Sequence, residues 1–166
     1  PHTGGQIVAL TLDRAGNLIY YSDGFSVYKN NLDGTDETVQ ISSDEGMFDI
    51  KGLALDNSGN IFITNNPDGG EIRKYSLSPS TFVTGEMAAV IGVSWLNAWD
   101  IMVQGTSLFV ANPGGDVGEQ IIELSTTDLS FIASIGNYVG SSDAPNILSG
   151  NFYGPRKFVA QLNNEI

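Results

Sequence analysis

Leu10-Thr11-Leu12-Asp13-Arg14-Ala15-Gly16-Asn17-Leu18-Ile19-Tyr20-Tyr21 and Leu53-Ala54-Leu55-Asp56-Asn57-Ser58-Gly59-Asn60-Ile61-Phe62-Ile63-Thr64 are two copies of one pattern, with their aspartates and their Gly-Asn pairs 43 positions apart. A looser third copy runs Ile101-Met102-Val103-Gln104-Gly105-Thr106-Ser107-Leu108-Phe109-Val110-Ala111-Asn112, and Asn65 and Asn112 lie 47 positions apart. Each copy holds two short apolar runs around a turn. Asp-x-x-Gly-Asn is hairpin chemistry, because Gly or Asn supplies the positive φ that a tight β-turn requires.

Working outward, each copy has four such runs. They are Val8–Leu12, Leu18–Tyr21, Ser26–Asn30 and Thr38–Ser42 in the first. The second has Gly52–Leu55, Ile61–Thr64, Ile72–Leu77 and Ala88–Val93, and the third Ile101–Gln104, Leu108–Ala111, Gln120–Leu124 and Phe131–Ile135. The runs have strand length and are rich in Val, Ile, Phe and Tyr. No segment carries apolar residues at helical spacing over several turns, so helices beyond a turn or two are not expected. Four strands in a period of about 40 to 50 residues mark a propeller blade. A lone four-stranded sheet leaves both faces bare, so the unit repeats and its neighbours cover it.

The sequence therefore predicts an all-β fold, a partial β-propeller of about three and a half four-stranded blades in one domain spanning residues 1–166. The blades fall near 6–45, 48–94 and 97–137, and a fourth starts within 153–166. Residues 137–151, with Gly-Ser-Ser-Asp-Ala-Pro, read as a surface loop. The fourth copy reaches Ile166 where its second strand should open. The expectation is a fragment, or a chain completed by another copy of itself through open blade faces carrying Val, Leu, Phe and Ile.

Composition narrows the function. The net charge of −12, from 19 acidic and 7 basic residues, argues against nucleic acid, which needs clustered Lys and Arg. It also argues against docking on anionic lipid. No apolar stretch reaches transmembrane length, so no membrane insertion is expected. Without cysteine there are no disulfides, no thiol catalysis and no Cys-bound zinc. His2, the sole histidine, leaves Ser-His catalysis without a base. The Gly-rich runs Pro67–Gly70 and Pro113–Asp116 lack the Lys-Ser/Thr that a phosphate loop requires.

Ile19-Tyr20-Tyr21-Ser22-Asp23, followed by Asn31-Leu32-Asp33-Gly34, resembles a YWTD repeat with its NLDG turn. Gly59-Asn60-Ile61-Phe62-Ile63-Thr64-Asn65 and Tyr153-Gly154-Pro155-Arg156-Lys157-Phe158-Val159-Ala160 resemble NHL repeats. The gluconolactonase-like propellers are close to both families. The resemblance implies a six-bladed propeller of the NHL/YWTD-like type, and a binding or scaffold module on a bacterial extracytoplasmic protein. The partner would be a protein or a small polar ligand such as a carbohydrate. The alternative it carries is a metal-dependent lactone or ester hydrolase of the gluconolactonase type.

The candidate residues follow from position. Asp23, Asn65 and Asn112 end the second strand of successive copies, and equivalent positions converge near one mouth of a propeller. Their oxygens suit Ca²⁺, the one cofactor in view, while the simpler reading of these residues is the capping of tight turns. Asn66, Asp68 and Asp116 stand in the following loops. Trp95, Trp99 and Tyr153 offer aromatic surface for a sugar or peptide, or packing between blades. Arg156, at the start of an inner strand, could reach an anionic ligand or pair with a neighbouring carboxylate. Asn66, Trp95, Trp99 and Arg156 are the candidate ligand-binding residues.

Overall fold

A computed structural model of the chain describes residues 5–66, 70–77, 80–85, 97–113, 119–136 and 157–158. Among these described residues, twelve strands form three four-stranded antiparallel sheets. The first holds β1 (Ala9–Asp13), β2 (Leu18–Ser22), β3 (Val27–Asn31) and β4 (Thr38–Ile41). The second holds β5 (Leu53–Leu55), β6 (Asn60–Asn65), β7 (Glu71–Leu77) and β8 (Ser80–Gly85). The third holds β9 (Asp100–Gln104), β10 (Ser107–Pro113), β11 (Glu119–Ser125) and β12 (Phe131–Ile135). In each sheet the strands pair in chain order. Among the described residues the one helical element is a 3₁₀ turn, Ser43–Glu45, capped by the Ser42 side chain.

One strand differs from the sequence expectation. The outer strand of the second sheet is Ser80–Gly85, paired with β7 from Leu77↔Ser80 to Ile72↔Gly85. The expected Ala88–Val93 run lies outside the described residues. A blade's outermost strand has one free edge, so the mixed Ser-Thr-Phe-Val-Thr-Gly segment suits it better than a wholly apolar run.

The repeated turn closes in two ways. Asp13 pairs with Leu18, leaving four residues between, with Asn17 at φ 57°. In the second copy the Asp56 amide donates to the Asn60 carbonyl at 3.0 Å, leaving three, and Gly59 takes φ 78°. Both aspartates brace their turns. Asp13 Oδ1 accepts from the Gly16 amide at 2.9 Å. Asp56 Oδ1 accepts from the Ser58 and Asn60 amides, each at 2.8 Å. The one-residue difference puts Asp23 in step with Asn65 although the turn motifs themselves lie 43 apart.

The core consists of two seams between sheets. Alternation along the second sheet supplies both: Ile61, Ile63 and Tyr75 pack toward Tyr20, Val27, Ile41 and Met47 of the first blade and its crossover, while Phe62 and Ile72 pack toward Leu108, Val110, Ile122 and Leu124 of the third. Ile61, Phe62, Ile63 and Ile72 are wholly buried. The short innermost strand β5 lies between β1 and β9. A Cβ on Gly52 would sit 3.0 Å from Asp100 Cα and from the Ile101 amide nitrogen, so glycine there sets how closely two inner strands approach. Beyond the third sheet, the Phe158 amide donates to Asp100 Oδ2 at 2.9 Å.

Candidate functional site: a clamped aromatic mouth

The crossover from the first blade to the second, the crossover into the third, and the turns after β2 and β6 meet at one end of the sheets. Asn65 and Asn112, both fully buried, perform matching tasks there. Asn65 Oδ1 accepts from the Phe48 amide at 2.6 Å, and Asn112 Oδ1 accepts from the Asn97 amide at 3.1 Å. Each ties its blade's incoming crossover to its second strand. Asn65 Nδ2 also donates to the Gly46 carbonyl at 3.2 Å and to Glu71 Oε1 at 2.6 Å. Asp23, the third of the set, braces its own turn: Oδ1 accepts from the Phe25 and Ser26 amides at 3.0 and 2.9 Å, and Oδ2 from the Tyr28 hydroxyl at 3.0 Å. Among the described residues no three His, Cys, Asp or Glu side chains gather as a metal site would need.

Asn66 and Trp99 do come together. Asn66 Nδ2 donates to the Asp49 carbonyl at 3.1 Å and to the Ala98 carbonyl at 2.9 Å, joining the two crossovers. Its Oδ1 is buried without a partner among the described residues. Asp49 stands at φ 51°, a left-handed conformation that Asp tolerates better than most residues. The Lys51 ammonium lies 4.6 Å from the centre of the Trp99 ring and 3.0 Å from Asp49 Oδ2. Trp99 Nε1 donates to Asn97 Oδ1 at 3.2 Å, and its amide to the Ala111 carbonyl at 3.0 Å. Trp95, Tyr153, Arg156, Asp68 and Asp116 lie outside the described residues.

Sequence reasoning missed the neighbouring pair Phe25 and Phe48. Their rings meet edge to face, 5.8 Å between centres and 75° between planes, and they are 51% and 55% exposed. Half-bare aromatics are costly to leave in water and suit a partner's surface. The available signal was that neither fits a strand alternation: each stands between a turn signal, Asp23-Gly24 or Glu45-Gly46, and the next strand. The backbone beneath them is fixed, with the Ile50 amide donating to the Gly24 carbonyl at 2.9 Å and the Asn66 amide to the Phe48 carbonyl at 3.0 Å.

A second polar group lies on the face of the first sheet turned away from the second. Tyr21 donates to Glu37 and Tyr28 to Asp23, and the two rings stack with centres 5.4 Å apart. Burial first, then the bonded carboxylates, push both phenols above their ordinary pKa.

No family model matches the chain, and no curated protein matches it by sequence. By structure it is similar to a chain in the crystal structure of a nidogen/laminin complex, with a TM-score of 0.63 at 12% identity over 92% of this chain. The match spans about half, 52%, of that chain. With three ordered four-stranded sheets meeting at their innermost strands, this likeness shows that the chain is part of a β-propeller.

Proposed function

We propose that this chain is a non-enzymatic binding module whose mouth at Phe25, Phe48 and Trp99 engages a protein partner. The observation that carries the reading is the exposed Phe25–Phe48 pair on loops held in place by Asn65, Asn66 and Asn112. Anchoring aromatics on a pre-organised backbone lose little entropy on binding and dominate interface energetics. The structural neighbour was solved within a nidogen/laminin complex, which supports a protein as partner over a small ligand. The repeat spacing and the YWTD- and NHL-like segments support the six-bladed type.

Panning a displayed random-peptide library on the 166-residue chain tests this. Selected peptides should lose at least about tenfold in affinity against Phe48→Ala or Trp99→Ala and keep it against Leu32→Ala, an exposed apolar residue in the β3–β4 turn. Failure to enrich any peptide, or peptides indifferent to Phe48 and Trp99, would refute the assignment.

A further inference from the structure

At the other end of β2 and β6 from the aromatic mouth, the turn after β1 faces the turn after β5 across a cavity of about 810 Å³. The volume falls within the range of small-ligand sites. Asp13 and Arg14 of the first turn and Ser58 of the second line it, with Tyr20, Leu55 and Leu77 of the seam between the first two blades. Tyr20 sets the site apart. It is 5% exposed, yet its hydroxyl makes no hydrogen bond among the described residues. Nor is that oxygen sealed in the core, so it opens on the cavity. A buried phenol usually has a partner; this one leaves its bond for an incoming group. Burial, then the nearby Asp13 carboxylate, raise its pKa, which keeps it a proton donor at neutral pH.

The corresponding place between the second and third blades is closed. Phe62 pairs with Ala54 as Tyr20 pairs with Thr11, but it has no hydroxyl and is wholly buried. The Lys74 ammonium lies 5.8 Å from the centre of its ring and donates to the Thr126 and Thr127 carbonyls at 2.8 and 3.0 Å. The first seam leaves open what the second fills. Around the opening, Asp56 is committed to its own turn, its Oδ2 accepting from Asn60 Nδ2 at 2.6 Å. Asp13 uses Oδ1 for the Gly16 amide at 2.9 Å and keeps Oδ2 without a donor among the described residues. Arg14 is exposed and makes no ion pair among them. Two carboxylates repel an anion and Arg14 repels a cation. The lining therefore favours a neutral ligand whose groups both donate and accept, as hydroxyls do.

We infer that this cavity binds a neutral saccharide unit, with one hydroxyl accepting from Tyr20, another donating to Asp13 Oδ2, and Arg14 donating to a third. The C–H face of the sugar ring would lie on Leu55 and Leu77, covering apolar surface now facing water. The hydrogen bonds to Asp13 and Arg14 are charge-assisted and fix the ring's orientation. The inference does not depend on the aromatic mouth binding protein.

The test is a titration of the isotope-labelled 166-residue chain, followed by amide NMR, with glucose, galactose and mannose, and with glucuronate and glucosamine as charged counterparts. At least one neutral hexose should shift the amides of Tyr20, Ser58 and Gly59 and bind more tightly than either charged sugar. Tyr20→Phe should weaken that binding about three- to tenfold, the worth of one hydrogen bond. Without sugar the same variant should melt no lower than the parent, because no bond within the chain is lost. Arg14→Ala, at an exposed position, should weaken binding about tenfold and leave the melting temperature alone. A lower melting temperature for Tyr20→Phe would show that the hydroxyl already has a partner and would overturn the inference. So would a charged sugar binding as tightly as the neutral ones, binding indifferent to Tyr20→Phe and Arg14→Ala, shifts confined to other residues, or no shift at all.

Discussion

The first and second blades carry near-copies of one sequence and meet different fates. In the second, Ile61, Phe62, Ile63 and Ile72 are wholly buried, because a sheet lies on either side. In the first, Leu10, Leu12 and Val39 are 57%, 40% and 59% exposed. Leu10 pairs with Tyr21 and Leu12 with Ile19 on the face turned away from the second blade. An apolar residue in a propeller strand thus takes its burial from the next blade and not from its own sheet. The same residue type carries a large stabilisation in one copy and little in the other.

The sharpest test is the pair Phe62→Ala and Leu10→Ala. Truncating Phe62 should cost about 3–5 kcal/mol in denaturant unfolding, and truncating Leu10 under about 1 kcal/mol. If Leu10→Ala costs as much as Phe62→Ala, the open face is covered in solution, and light scattering should then show associated chains.

Next in size is the seam at the axis. Gly52→Ala should cost about 1–3 kcal/mol, because its new Cβ meets backbone of the third blade at 3.0 Å, where no side chain can move aside. A melting temperature equal to the parent's would mean that the inner strands slide freely past each other.

The loop ties come third. Asn65→Ala removes bonds to Phe48, Gly46 and Glu71 inside the protein and should cost about 1–3 kcal/mol. Its counterpart Asp23→Ala, in a more open turn, should cost about 0.5–1.5 kcal/mol. Equal losses would mean that both tie their loops equally firmly.

The smallest effect separates the two hairpin turns. Gly59→Ala should cost about 1 kcal/mol, for its φ of 78° is strained for any Cβ. In the first copy the left-handed residue is Asn17 and not Gly16, so Asn17→Gly should change stability by no more than a few tenths of a kcal/mol. A Gly59→Ala variant as stable as the parent would show that the second turn does not need its left-handed glycine.

Much of this architecture was legible in the sequence, since strand alternation and turn residues are local signals. Leu18–Tyr21 and Ile72–Leu77 predict β2 and β7 to within a residue or two. Where local signals compete, legibility fails. The sequence points to Ala88–Val93 as the outer strand of the second blade, where Ser80–Gly85 forms it, because apolarity does not reveal which strand is outermost. The site was half legible for a similar reason. Asn66 and Trp99 stood out by type and place, but whether Asn65 faces a ligand or the Phe48 amide depends on how the crossover folds back. Phe25 and Phe48, 23 positions apart, become neighbours only through that crossover.

The tie from Asn65 reaches the backbone of Phe48 and not its ring, and Asn66 likewise holds the carbonyls of Asp49 and Ala98. The loops are therefore fastened at backbone groups, an N–H that every residue but proline carries and carbonyls that all carry. The rings of Phe25 and Phe48 take no part in those ties, so either can be exchanged without unfastening the loop beneath it. A blade built this way can change what it displays without first having to relearn its fold.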